Sequence, residues 1–300
     1  MNSTQFTGVY TALVTPFKNG KIAFDELSRL VDDQIENGVD GLVAVGTTGE
    51  SPTLDIEEHL ETVRCIIEAA KGRVPVLAGS GSNSTSEGLK LTKGSHEAGA
   101  DGMLLVAPYY NKPTQNGMFG YFSELVEATD RPIVLYSIPG RCGVEIAVPT
   151  IVRLRERYPQ VNHLKEAGGT CSRVDEVREA LGDDMTILSG DDALTLPFIS
   201  IGAKGTISVA SNVFPREITA MTKAALDGDF LKARKIHSRF YSLFENLFIE
   251  ANPVPAKFAL QTMGKISSAE VRSPLCELEE SNKELLLQTL KRLNNLQDLA

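Results

Sequence analysis

The chain has 300 residues, 42% of them hydrophobic and 23% charged, with a formal net charge of −9. That balance fits a soluble globular protein with a large core and excludes a basic nucleic-acid binder, since no Lys/Arg cluster interrupts the acidic average. No apolar run is long enough to span a bilayer, the four cysteines (Cys65, Cys142, Cys171, Cys276) show no CxxC spacing, and the start MNSTQFTGVYTALVTPF lacks the basic-then-apolar order of a signal peptide; a cytoplasmic, thiol-reduced protein is expected.

Eight short apolar runs, rich in β-branched residues, follow one another: VYTALVTP (9–16), GLVAVG (41–46), VPVLAGSG (74–81), GMLLVAP (102–108), PIVLYSIP (132–139), VNHLKEA (161–167), MTILSG (185–190) and KGTISVAS (204–211). Most are continuous rather than alternating, as parallel strands covered on both faces are. Amphipathic stretches separate them. Phe24, Leu27, Leu30, Val31 and Ile35 recur at helical spacing before the stop Asn37-Gly38. Asp55 and Glu58 make a capping box for the next helix, which sets Ile56, Leu60, Val63 and Ile67 on one face. SNSTSE (82–87) opens a third helix that ends at Glu97-Ala98-Gly99.

Eight such repeats predict an α/β fold, a (β/α)8 TIM barrel, over residues 1–225. An open sheet is disfavoured, because VTPFKNGK after the first run is not a glycine-rich fingerprint. From residue 226 the strands stop. Residues 229–251, 252–264 and 281–297 read as helices, with turns at Asn252-Pro253 and Arg272-Ser273-Pro274, so a small all-helical C-terminal domain is expected over 226–300.

A barrel carries its site at the C-terminal ends of its strands. Reactive residues do follow the apolar runs: Gly46-Thr47-Thr48-Gly49-Glu50, Pro108-Tyr109-Tyr110-Asn111-Lys112, Tyr136 ahead of Ser137-Ile138-Pro139-Gly140-Arg141, and Ser189-Gly190-Asp191-Asp192. Each has a plain structural alternative. GTTGE also suits a tight turn, the tyrosine pair a core or interface, Arg141 a solvated loop, and Asp191 and Asp192 the cap of the following helix. The four histidines (His59, His96, His163, His237) form no metal-ligand pattern, so no metal is expected.

Lys165 stands out because it falls inside the sixth apolar run. Burial disfavours the ammonium form, and a neutral amine is the form that attacks a carbonyl to give a Schiff base. Lys204 also borders a strand, and periodicity alone does not rank it below Lys165.

GTTGES (46–51), PYYNKPTQ (108–115), YSIPGR (136–141), LKEA (164–167), SGDD (189–192), GTISV (205–209) and NPVPAK (252–257) together resemble the dihydrodipicolinate synthase family, within the pyruvate-dependent class I aldolases, over nearly the whole chain. The resemblance implies condensation of pyruvate with L-aspartate-4-semialdehyde, with Lys165 as the Schiff-base amine and Tyr136, Thr47 and Tyr110 as a proton relay. Tyr110 would come from the partner subunit of a tight dimer within a homotetramer. It further implies that Thr48 holds pyruvate's carboxylate, Arg141 that of the aldehyde, and that Gly190 and Ile207 line the pocket. The lysine is its own electron sink, so no cofactor is implied. An L-lysine feedback site would fall on Ser51, His59, Asn83, Glu87 and Tyr109, weakened where Ile56 replaces the histidine frequent in lysine-inhibited members. Cys142 stands where threonine is frequent, a change with only local effect expected. Another pyruvate-dependent lyase acting on a 2-keto-3-deoxy acid, or an inactive barrel used as a scaffold, are the alternatives; Arg141 after Pro139-Gly140 favours the synthase over the sialic acid lyases.

Overall fold

The computed structural model describes residues 5–294. Eight parallel strands close into a barrel: β1 (Gly8–Ala12), β2 (Gly41–Ala44), β3 (Val76–Gly79), β4 (Gly102–Val106), β5 (Ile133–Ser137), β6 (Val161–Glu166), β7 (Thr186–Ser189) and β8 (Gly205–Ser208). Each pairs with its sequence neighbours, and β1 pairs with β8 to close the seam, with Tyr10 opposite Ile207. All eight predicted runs are barrel strands. They are buried on both faces, apart from the last residue of β4, which explains why they read as continuous apolar runs.

Helices follow the strands: α1 (Phe24–Glu36), α2 (Ile56–Ala70), α3 (Thr85–Glu97), α4 (Gln115–Glu127), the short α5 (Pro139–Cys142), α6 (Val148–Arg157), α7 (Cys171–Leu181), α8 (Thr195–Ser200) and α9 (Pro215–Leu226). The Asp55/Glu58 capping box forms, each side chain reaching the other residue's backbone N–H. Three more helices follow among the described residues: α10 (Phe230–Asn246), α11 (Val254–Thr262) and α12 (Glu280–Asn294). Here the prediction differs. The helix expected over 229–251 stops at Asn246, where Leu247 caps it. Residues 295–297 of the last predicted helix lie outside the described residues. A two-stranded hairpin, Phe17–Lys18 with Lys21–Ile22, went unpredicted because its strands are too short to show a period.

Strand alternation splits the core in two. Outward residues such as Val9, Leu42, Leu135 and Leu164 pack under the helices. Inward residues, among them Tyr10, Val43, Leu77, Leu104, Val134, Leu188 and Ile207, fill the barrel lumen. Phe6 seals the N-terminal end. Its ring stacks on His163 at 4.8 Å and its N–H donates to His163 Nε2 at 2.9 Å. His163 Nδ1 therefore carries the proton, which it donates to Asn162 Oδ1 at 2.7 Å.

Burial pushes His163 down to about 4, and His59, whose Nε2 sits 2.8 Å from Gly79 O, likewise to about 4. The unfolded imidazole protonates near ~6.5. The stabilisation from a neutral buried imidazole is therefore complete above that pH and is lost as pH falls towards 4. Each histidine should remove about 1.4 kcal/mol per pH unit across that window. Urea midpoints measured from pH 7 to 4 should fall accordingly, and His163→Gln should flatten the slope. Unchanged stability from pH 7 to 5 would contradict both assignments.

Candidate active site

On β6 the side chains alternate. His163 and Lys165 point into the lumen, while Leu164 joins the outer core and Glu166 faces Arg173. Lys165 is 6% exposed, and its Nζ lies 4.1 Å from the centre of the Tyr136 ring. The two residues are direct register partners on β5 and β6, so sheet geometry sets their approach. Burial pulls the Lys165 amine down to about 7; Asp192 opposes this and Arg141 adds to it. Lys204, by contrast, is exposed and precedes β8, at the opposite end of the barrel from the reactive loops. Structure thus ranks the two lysines that periodicity could not.

Burial drives the Tyr136 phenol up to about 12, moderated by Arg141 and by a hydrogen bond with the Thr47 side chain. It keeps its proton at neutral pH. Gly190 lies against the amine: a Cβ there would stand 3.0 Å from Lys165 Cε and 2.8 Å from Ala167 Cβ. Any side chain at 190 would crowd the amine. Ile207 is buried in the lumen.

The GTTGE loop leaves β2 through a strained residue. Val45 has φ +51°, a conformation that a β-branched residue adopts only when its surroundings impose it. Thr48 is buried and its Oγ1 accepts a hydrogen bond from Asn252 Nδ2 at 2.9 Å. Arg141 is exposed on the short helix α5, and its Nη2 donates to Asn252 O at 3.4 Å. Glu50, also at positive φ, ends the loop in a buried ion pair with Lys257 Nζ at 2.5 Å, both side chains being fully buried. Lys257 also donates to Glu270 O at 2.8 Å and lies over the Phe17 ring. Burial lowers the Lys257 amine to about 8 despite Glu50. Asn252, Glu50 and Lys257 all fall within the quoted motifs, yet the sequence reading assigned them no role. The burial of a charged pair 207 positions apart has no local signal.

One expectation needs adjusting, that for Asp192. Asp191 does cap locally, accepting Ala193 N at 2.8 Å. Asp192 does not cap the following helix: its carboxylate crosses to the end of β8 and accepts Ser208 Oγ at 2.5 Å, Val209 N at 3.0 Å and Ala210 N at 2.9 Å. Tyr110 is not brought to the Lys165 cluster of its own chain. It is 87% exposed, at φ +73°.

Ser51, His59, Glu87 and Tyr109 line a separate cavity of about 270 Å³, together with Ile56 and Ser82. Glu87 accepts the Ser82 hydroxyl. Asn83 does not line that cavity; its carbonyl accepts Asn111 Nδ2 at 2.8 Å. Among the described residues, no group of three or more His, Cys, Asp or Glu is arranged to hold a metal, and no helix is long and apolar enough to cross a membrane.

Fold and site together define a class: a (β/α)8 barrel that holds a desolvated lysine near the C-terminal end of its sixth strand, beside a phenol. The chain belongs to the dihydrodipicolinate synthetase family, whose model matches residues 5–293. It is 48% identical over 286 residues to the 4-hydroxy-tetrahydrodipicolinate synthase of Persephonella marina, covering 95% of this chain and 98% of that one. The solved 4-hydroxy-tetrahydrodipicolinate synthase of Methylacidiphilum fumariolicum SolV superposes with a TM-score of 0.95 at 50% identity, covering 97% of each chain. A dihydrodipicolinate synthase from Cyanidioschyzon merolae, solved with lysine bound, matches at a TM-score of 0.93 and 41% identity, covering 96% of this chain and 98% of that one.

Proposed function

We propose that this chain condenses pyruvate with L-aspartate-4-semialdehyde to give 4-hydroxy-tetrahydrodipicolinate, the entry step to diaminopimelate and lysine. The carrying observation is the Lys165 amine, buried, lowered to about 7, and held against Tyr136. The neutral amine adds to the ketone carbon of pyruvate, and the resulting carbinolamine hydroxyl takes up a proton and leaves as water, giving a protonated imine. The methyl group gives up a proton to form the enamine, with the imine nitrogen as electron sink. The enamine carbon bonds to the aldehyde carbon. The substrate's amino group then attacks the imine carbon, releases Lys165 and closes the ring.

Tyr136 is assigned the proton transfers, with Thr47 positioning its phenol; burial keeps the phenol protonated at neutral pH, so its proton is available to an oxygen that turns strongly basic as its bond to carbon breaks or forms. Thr48 is assigned pyruvate's carboxylate and Arg141 that of the aldehyde, as a planar fork suits an exposed anion site. Gly190 and Ile207 form the wall beside the amine. Tyr110 is assigned to the partner subunit's relay, its ring being left bare by its own chain; the assembly would be a homotetramer of tight dimers. On this reading residues 1–225 are the catalytic barrel, and 226–300 form a helical domain that braces its loops. Paired assays test the reaction. Turnover of pyruvate with the semialdehyde, and none of a 2-keto-3-deoxy acid, is the expected result; the reverse would make the chain a lyase.

L-Lysine is assigned to the cavity of Ser51, His59, Glu87 and Tyr109, where Glu87 offers a carboxylate to an ammonium. A relative solved with lysine bound supports this. Ile56 lines the cavity and adds no polar group, so affinity should be weak. Calorimetry should show binding at sub-millimolar to millimolar L-lysine, lost in Glu87→Ala; no heat up to several millimolar would remove the assignment.

A further inference from the structure

The helical domain reaches the candidate site through Asn252, which is 5% exposed. Its side chain donates to Thr48 Oγ1 at 2.9 Å, and its main-chain carbonyl accepts Arg141 Nη2 at 3.4 Å. Asn252 Oδ1 has no hydrogen-bond partner among the described residues. The side chain is thus committed to one bond, and that bond has a direction.

The direction matters for chemistry. A threonine hydroxyl has a single hydrogen and accepts as well as donates. Once Thr48 Oγ1 accepts from Asn252 Nδ2, its own hydrogen has to go elsewhere, and no acceptor among the described residues takes it. We propose that Asn252 is a positioning residue: it fixes the Thr48 hydroxyl as a donor towards the carboxylate of the α-keto acid bound at Lys165, while its backbone holds Arg141 at the neighbouring carboxylate site. The proposal rests on the reading that Thr48 meets that carboxylate. It assigns to a residue 204 positions from Thr48 the polarity of the first substrate's anion site.

Asn252→Asp is nearly isosteric and reverses the bond. A carboxylate has no hydrogen to give, so it would accept the Thr48 hydroxyl and withdraw it from the substrate, while adding a negative charge beside an anion. A hydrogen bond to a charged group typically changes binding by about ten- to a hundredfold. The experiment titrates pyruvate against borohydride trapping of Lys165, which needs no aldehyde, and measures KM for both substrates. In Asn252→Asp at pH 8, half-saturation for pyruvate should rise by about tenfold or more, while the semialdehyde KM changes far less, because the Arg141 contact is to the backbone. Burial beside the substrate's anion raises the introduced acid above the ordinary ~3.9, so as pH falls towards 5 it gains a proton, becomes a donor again, and the ratio to wild type should narrow. A structural lesion would show neither the split between substrates nor that pH dependence. If the aspartate variant does not fold, Asn252→Ser takes its place. It leaves the hydroxyl unconstrained, with a pyruvate shift of a few-fold at every pH.

Thr48→Val separates the two levels of inference. If it leaves pyruvate trapping unchanged, the carboxylate is not at Thr48 and the placement of the substrate is wrong. If Thr48→Val weakens pyruvate but Asn252→Asp (or Asn252→Ser) does not, the placement stands and the role of Asn252 is overturned.

Discussion

Lys165→Met should abolish turnover and at the same time stabilise the fold. Removing the amine removes the covalent step, and a loss of about four orders of magnitude or more is expected, with no borohydride-reducible pyruvyl adduct on the peptide bearing residue 165. Stability should move the other way. An unfolded lysine keeps its proton up to ~10.4, whereas the folded amine sheds it at about 7. At any pH between these values the unfolded chain binds a proton that the native site rejects, and this opposes folding. At pH 8 the penalty is about 3 kcal/mol, and it disappears only as pH approaches the unfolded value. A methionine fills the same lumen without it. Urea unfolding should therefore show the inactive variant to be the more stable one. Wild-type pyruvate capture should rise as pH passes through about 7, following the free amine. An inactive variant that is also less stable would mean that the site does not penalise the charge.

Lys257→Met should be among the most damaging changes outside the reacting groups. It removes the cation from a pair in which both side chains are fully buried, leaving the Glu50 carboxylate buried without its partner. Breaking such a pair costs about 3–5 kcal/mol, more than the pair itself contributes over an apolar replacement. Glu50 keeps two neutral donors, the N–H of Arg272 at 3.1 Å and the Thr53 hydroxyl at 3.5 Å, which soften the loss without removing it. The double variant Glu50→Gln with Lys257→Met should regain most of the stability, because the uncompensated charge is gone. Urea unfolding of the two single variants and the double one measures the coupling. Equal losses that simply add would show the pair to be inert. Turnover should fall with Lys257→Met even where the protein is folded, since Glu50 anchors the loop bearing Thr47 and Thr48.

The barrel was legible because its strands are buried on both faces, and continuous apolar runs survive in one dimension. The reactive loops were legible because polar residues follow those runs directly. What escaped was contact across the fold. Asp192 looked like a local cap because a carboxylate ahead of a helix usually is one, yet Ser208 at the end of the adjacent strand and the two N–H groups just beyond it are better donors for a buried acid. The pattern of residues 229–251 ran on as helix, but the chain turns after Asn246 and brings Asn252 to Thr48. Tyr110 kept its assignment on resemblance alone, since nothing in one chain tells an idle exposed ring from one lent to a neighbour.

The seam between β1 and β8 has a further consequence during synthesis. Ile207 and the wall it completes are among the last parts of the lumen to emerge from the ribosome. Until they arrive the lumen is an open sheet, and a lysine at 165 left in contact with water would be an ordinary solvated cation. A nascent or truncated chain lacking residues 205–208 would not capture keto acids from its surroundings, so the hazard of a reactive amine is switched on only by closure of the ring that also confines it.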